Sequence, residues 1–116
     1  MYSPWSYMAA TTELRSHHIG STFIANNNST DFILKVGLLG NEIPDAAEFG
    51  VFRNWAKTFK IVFGEGTFVA LESGDSYLPN PTISIPYNNQ MVALKKISGT
   101  RIEEYWLVTG NVEVVE

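Results

Sequence analysis

The sequence contains no cysteine, which excludes disulfide bonds and zinc sites built on thiolates. It is also poor in basic residues, since eight Lys and Arg stand against twelve Asp and Glu and the net charge is −4. Nucleic-acid-binding domains usually carry a concentrated basic patch. The densest basic stretch here is Lys95-Lys96, and adjacent residues of a strand point to opposite faces. The sequence therefore predicts no nucleic-acid partner.

Long apolar runs are missing as well. No segment approaches the ~20 apolar residues that a membrane helix needs, and the first residues lack the basic and continuous apolar regions of a secretory signal. We therefore expect no membrane partner. A chain of 116 residues with 45% hydrophobic and 13% aromatic content is typical of one folded domain.

Motifs for catalysis and cofactor binding are also absent. There is no Gly-x-Ser-x-Gly elbow, no Cys–His pair and no phosphate-binding loop. His17-His18 has no neighbouring ligand residues, which favours exposed histidines over a metal site. Carboxylates such as Asp45 and Asp75 could face each other across loops as in a glycosidase, but solvated surface is the favoured interpretation. The sequence predicts a protein that is not an enzyme and holds no cofactor and no metal.

What the sequence does contain, from residue 21 onward, is a series of short apolar segments separated by Gly, Asn and Pro. Eight or nine strands are predicted, with turn signals every eight to twelve residues. In "TFKIVF", Phe59, Ile61 and Phe63 would share one face and Lys60 the other. This spacing predicts an all-β fold, a single small antiparallel domain resembling a sandwich or barrel.

Two hairpins are expected within this domain. One would join "TFKIVF" to "TFVALE" through "GEG", and the other would join "MVALKKI" to "RIEEYWLV" through "SGT". The stretches "NNNST" and "YNNQ" are predicted turns. Trp106 alternates with polar residues in the last hairpin, which favours core packing or a subunit contact.

The first twenty residues differ from the rest. "MYSPWSYM" shows no alternation that would bury its rings on one face, and "ATTELRSHH" could form a short helical turn capped by Thr11 or Thr12. We predict an extended N-terminal arm over 1–20 and a β-domain over 21–116, with an unattached terminus as the alternative. Since Tyr and Trp are favoured interface anchors, the arm is expected to contact a partner through Tyr2, Pro4, Trp5, Tyr7 and Met8.

Two further aromatic residues are candidates for binding outside the arm. Trp55 is predicted to end a strand at the loop "RNWAKT", and Tyr77 lies in the Pro-rich loop "SGDSYLPNPT". Exposed rings of this kind could stack on the apolar faces of a saccharide. We therefore expect Trp55 and Tyr77 to be the contacts for a host surface glycan, if one is bound.

The stretches "GVFRNWAKTFKIVFGEGTFVALESGD" and "ISIPYNNQMVALKKISGTRIEEYWLVTGNV" resemble a small β-domain of bacteriophage tail fibres and related virion appendages. The resemblance spans about residues 20–112. It rests on a Phe-Gly step, a Gly-containing turn before a Thr-Phe-Val strand, a Tyr followed by an apolar strand with Lys, and a closing strand from Trp to Gly. These elements fall on Phe49-Gly50, Gly66 to Ala70 with Gly74, Tyr87, Val92 to Lys96, and Trp106 to Gly110.

The resemblance implies a β-rich unit that associates as a homotrimer in a virion, with no catalytic residues. For a free-standing chain with a short arm it implies a capsid decoration, cement or head-fibre protein that docks on other virion proteins. The alternative is a tail-fibre or tail-tip domain that recognises a host saccharide.

Overall fold

The computed structural model describes residues 5–38, 43–72, 74, 76–100 and 102–115, with only the backbone of residues 5 and 6. The predicted all-β fold is confirmed, because this part of the chain forms ten strands and one 3₁₀ turn, Ser16–His18. The strands are β1 (Trp5–Tyr7), β2 (Thr11–Glu13), β3 (Thr22–Val36), β4 (Glu48–Phe63), β5 (Thr67–Leu71), β6 (Leu78–Pro79), β7 (Thr82–Ser84), β8 (Gln90–Gly99), β9 (Glu104–Thr109) and β10 (Glu113–Val115). None of the described residues lies in a helix long and apolar enough to cross a membrane.

Two long strands, β3 and β4, run parallel through the middle of the sheet. On the side of β3 that faces away from β4, β1 pairs with the first half of β3 and β2 with its second half. On the side of β4 that faces away from β3, β8 pairs with the first half of β4 and β7 with its second half. Beyond β8 the sheet continues through β9 and β5 to β6, and β10 pairs with β7. The sheet is therefore mixed rather than purely antiparallel.

The sheet curls into a half-barrel around Trp106. The indole ring lies 6.0 Å from the ring of Phe49 and 6.3 Å from that of Phe63, measured between centroids. These two phenylalanines stand at opposite ends of β4, and a straight strand would separate them by roughly 45 Å. Since both rings lie next to one tryptophan, β4 must bend strongly. Of the two predicted shapes, a sandwich or a barrel, the barrel-like one is observed.

The core lies on the concave face of this curl. Phe59, Ile61 and Phe63 are buried on one face and Lys60 is exposed on the other, as the alternation predicted. Trp106 is fully buried, so the first of its two expected roles, core packing or a subunit contact, is the one observed. The inward face of β4 continues the same alternation through Phe49, Val51 and Arg53, so a charged residue occupies a core position.

One of the two predicted hairpins is correct. β8 and β9 pair antiparallel, with Leu94 opposite Val108 and Lys96 opposite Trp106. The other hairpin is wrong, since β5 pairs with β9 and β6 and not with β4. The physical reason is that both edges of β4 are already occupied by β3, β7 and β8, so no edge is left for β5.

The N-terminal segment is extended over residues 5–14, as expected, but it is hydrogen-bonded to β3 in two stretches. Trp5–Tyr7 pairs with Thr22–Ile24, and Thr11–Glu13 pairs with Ile33–Lys35. Leu14 is buried in the core. The helical turn is confined to Ser16–His18, and Thr11 and Thr12 lie in β2 instead of capping it. Residues 5–14 thus form an edge of the same sheet, and no packing boundary divides an arm from the domain there.

Candidate binding surfaces

The residues expected to contact a partner through the arm have different environments. Tyr7 is 74% exposed and remains accessible. Met8 is 9% exposed, because its amide donates to the carbonyl of Ile24 and its side chain packs in the core. The expected contact role of Met8 is therefore corrected to a core role. Tyr2 and Pro4 lie outside the described residues, as does the side chain of Trp5.

Trp55 lies at an irregularity in the middle of β4, not at the end of a strand. Ala25 of β3 stands opposite Arg53, and Asn26 stands opposite Trp55, so Asn54 is an extra residue in β4. Bulges of this kind bend a strand and redirect its side chains. The indole of Trp55 is 50% exposed and makes no ring contact with the described residues.

A second irregularity lies beside the first in β3. The register shifts between Asn27 and Asp31, so three residues of β3 stand against one of β4. The side chain of Asn27 stabilises this excursion, because its Oδ1 accepts hydrogen bonds from the amide and hydroxyl of Ser29 at 3.0 and 2.8 Å. The stretch predicted to be a turn is thus an interruption within one long strand.

A buried arginine fixes the backbone around Trp55 from the core side. The Arg53 guanidinium donates to the carbonyls of Ala56 and Lys57 at 3.0 Å each, and to that of Ile85 at 2.5 Å. The amide of Ala56 donates to Oδ1 of Asn88 at 3.0 Å. These bonds pair backbone groups that the bulge removes from the β-ladder, which would otherwise be costly to bury.

A cleft of about 240 Å³ opens on the other side of β3 from Trp55. Its lining includes Tyr7, Ile24, Asn26, Asn27 and Thr30. Tyr7 stands opposite Ile24 on one side of β3, and Trp55 stands opposite Asn26 on the other. We call Tyr7, Ile24, Asn26, Asn27 and Trp55 the Trp55 platform. It presents an exposed aromatic residue on each side of β3 and two exposed amide side chains on β3 itself.

A second aromatic surface covers the outer face of β5 and β9. The rings of Phe68 and Tyr105 are stacked with centroids 5.2 Å apart, and Tyr77 meets Tyr105 edge-on at 5.1 Å. Tyr77 precedes β6, which is separated from β9 by β5. The edge-on contact between the two tyrosine rings therefore crosses the outer face of β5.

Apolar residues from two loops extend this surface. Leu38 and Ile102 line a cleft of about 420 Å³ together with Phe68, Glu65 and Glu103. Ile102 is 73% exposed and Tyr77 is 44% exposed. The Tyr105 hydroxyl donates to the Glu103 carboxylate at 2.8 Å, and this hydrogen bond raises the pKa of Tyr105 above its ordinary value. We call Leu38, Phe68, Tyr77, Ile102 and Tyr105 the Tyr77 patch.

The structure does not bring Trp55 and Tyr77 together. Along the sheet, β8, β9 and β5 separate β4, which carries Trp55, from β6, which Tyr77 precedes. The Phe68–Tyr105 stack and the buried Arg53 were missed from the sequence. A signal for Arg53 was present, because it continues the inward alternation of Phe49 and Val51.

The other polar groups noted in the sequence have structural surroundings. Lys96 is buried, and its Nζ donates to the carbonyl of Ile43 at 2.6 Å and lies 3.7 Å from an Asp45 carboxylate oxygen. Asp75 lies outside the described residues, so its expected surface position is not seen. Within the described ranges no three His, Asp or Glu side chains are grouped as metal ligands.

Comparisons with known proteins identified no relative of the chain. No family model, no curated protein and no solved structure matches the chain.

Proposed function

We propose that the chain is a non-enzymatic structural protein of a bacteriophage virion, a homotrimer that decorates or cements the capsid or forms part of a head fibre. The likeness of residues 20–112 to virion appendage domains supports this role. Tyr2, Pro4 and Trp5 are the proposed contacts with other virion proteins. The observation that carries the proposal is the exposed Tyr77 patch, because a trimer needs a surface for contact between copies.

The composition of the Tyr77 patch is that of a protein interface. Interfaces are enriched in aromatic residues, Tyr among them, and poor in charge at their centre. Here three rings and two aliphatic side chains are contiguous, and carboxylates of Glu65 and Glu103 stand at the rim. An exposed residue such as Ile102 gains most by being covered, since burial removes apolar surface from water.

The occupant that we propose for the patch is a second copy of the chain. The outer face of the second half of β4 carries Lys57 and Lys60, which are exposed and make no ion pair with the described residues. These lysines would complement the carboxylates that border the patch. A contact between two different surfaces of identical chains is heterologous and can close into a ring, as a trimer requires.

Light scattering on the purified protein tests the trimer. We expect three times the chain mass of 12.9 kDa for the wild type, and a monomer for Ile102→Glu, because a carboxylate would be buried without a partner. Lys60→Glu should also weaken the trimer. Met91→Glu is the matched control, since Met91 is exposed on β8 outside the patch.

A monomeric wild type at all concentrations would rule out the trimer, and equal dissociation by Met91→Glu would rule out the patch as its contact. The virion role is tested separately by labelling purified virus particles with antibodies to the chain. Particles that carry the chain support the role, and particles without it contradict it.

A further inference from the structure

The Trp55 platform combines an exposed aromatic residue with an unusually well-fixed backbone. The Trp55 indole is half exposed, and the buried Arg53 guanidinium binds the carbonyls of the two residues that follow it. We propose that the Trp55 platform is a binding site for a neutral oligosaccharide, a function that goes beyond the proposed assembly role.

The first support is the preorganisation of Trp55. Arg53 donates hydrogen bonds to the carbonyls of both residues that follow Trp55, and Oδ1 of Asn88 accepts a hydrogen bond from the amide of Ala56. On the outer side, Nδ2 of Asn54 donates to Oδ1 of Asn26 at 3.3 Å. The backbone on both sides of the indole is thereby held before any ligand arrives. Rigid presentation of a contact residue reduces the entropy lost on binding.

The second support is the chemistry of the cleft beside Tyr7, which lies across β3 from Trp55. The cleft is lined by amides of Asn26 and Asn27, a hydroxyl of Thr30, the Tyr7 ring and apolar side chains, and no charged side chain lines it. Amides and hydroxyls both donate and accept hydrogen bonds, as sugar hydroxyls do. Indole and phenol rings offer flat apolar faces for the C–H face of a sugar ring. An uncharged lining favours a neutral saccharide over an anionic one.

The spacing of the rings indicates the size of the ligand. Tyr7 and Trp55 are attached to strands on either side of β3 and are offset by two residues along it, so their backbones are about 12 Å apart. A single sugar ring is too short to contact both. The ligand that fits the platform is therefore an oligosaccharide of at least two residues, with its hydroxyls toward Asn26 and Asn27.

An array of neutral and acidic microbial glycans, followed by calorimetry with the best neutral ligand, tests this site. We expect the wild type to bind neutral oligosaccharides, and Trp55→Ala to lose about tenfold or more in affinity. Asn26→Ala should lose affinity by a few-fold. Met91→Ala is the control, because it shortens an exposed apolar side chain that belongs to neither the platform nor the Tyr77 patch, and its affinity should equal that of the wild type.

Arg53→Lys tests the role of Arg53 as a positioning residue. A lysine cannot reach the three carbonyls together, so binding should weaken although Trp55 is present. A cooperative urea transition with a midpoint well above zero would show that this variant is folded under the conditions of the binding assay.

Three outcomes would overturn the inference: no binding to any neutral glycan, binding to acidic glycans alone, or unchanged affinity in Trp55→Ala. Light scattering on Trp55→Ala separates this site from the assembly role. The variant should keep the mass of the wild type, and loss of saccharide binding with retained assembly would support both proposals independently.

Discussion

At the scale of single residues, two cationic side chains can be buried in the core because backbone carbonyls accept their hydrogen bonds. Arg53 and Lys96 occupy inward positions of β4 and β8, and each donates to main-chain oxygens of irregular segments. The Nε of Arg53 has no partner among the described residues. A buried cation is strongly destabilising unless good acceptors surround it. The carbonyls near Trp55 and at Ile43 supply these acceptors, so moving either backbone segment would leave a buried charge without partners.

His18 is expected to make stability depend on pH. Its Nδ1 accepts the amide of Arg15 at 2.9 Å, and its ring lies edge-on to Phe23 at 4.9 Å. Burial lowers the pKa of His18 from its ordinary value of 6.5, and the charges of His17 and Arg15 lower it further. The unfolded chain therefore binds the proton more readily. The resulting stability is fully present above pH 6.5 and decreases as the pH falls from 6.5 toward the lowered pKa.

Urea denaturation between pH 5 and pH 8 measures this effect. The urea concentration at the wild-type midpoint should decrease as the pH is lowered below 6.5. The His18→Gln substitution should remove part of that decrease. His17→Gln is the control and should retain most of it. Identical pH profiles for the wild type and His18→Gln would contradict the assignment.

At the scale of elements, the strands were easier to locate than their partners. The sequence predicts one strand that ends at Trp55 and another at "TFKIVF", but the two form a single strand, β4, that continues through a bulge. The last hairpin was found because its two strands are neighbours in sequence and alternate clearly. Pairings such as β5 with β9 and β7 with β10 join distant segments, and no local pattern specifies them.

The turn between β9 and β10 gives a prediction at this scale. Gly110 has φ of 122°, and a Cβ there would lie 2.9 Å from the carbonyl oxygen of Met91. Gly110→Ala should therefore destabilise the fold by about 1–3 kcal/mol. Gly37→Ala is the control, because nothing lies within 4 Å of a Cβ at that position, and it should be neutral or slightly stabilising. Urea midpoints of the two variants check this, and similar midpoints would show that the turn tolerates a side chain.

At the scale of the whole molecule, the curl depends on contacts between the two ends of β4. Trp106 lies between Phe49 and Phe63, and Phe32 stacks on Phe59 in the second half of the sheet at 6.2 Å. The residues that define the two proposed surfaces are all exposed or half-buried, and none of them belongs to this core.

Trp106→Ala tests the importance of this central contact. The indole is fully buried and its Nε1 has no hydrogen-bond partner among the described residues. Its removal should cost packing alone, about 3–5 kcal/mol of the free energy of unfolding. Trp55→Ala removes the same side chain from the surface and should change stability by less than about 0.5 kcal/mol. Urea denaturation compares them, and equal losses would show that the curl does not depend on Trp106.

Part of the candidate sites could be found from sequence. The sequence predicts that the rings of Trp55 and Tyr77 are exposed, and both are. Their neighbours were not found, because Tyr7 reaches the platform through a parallel pairing and Tyr105 meets Tyr77 across β5. Met8 was misassigned to a contact surface, since an apolar residue in an irregular segment gives no periodic signal for burial.

The sequence by itself determined that the chain is all-β and that Phe59, Ile61 and Phe63 face inward while Lys60 faces outward. These properties follow from alternation and turn residues, which act over a few positions of the chain. Only the tertiary structure decided that β3 and β4 run parallel, that residues 5–14 form an edge of the sheet, and that Arg53 fixes the backbone at Trp55. The reason is that strand pairing depends on which edges remain free after the sheet curls, and no local segment carries that information.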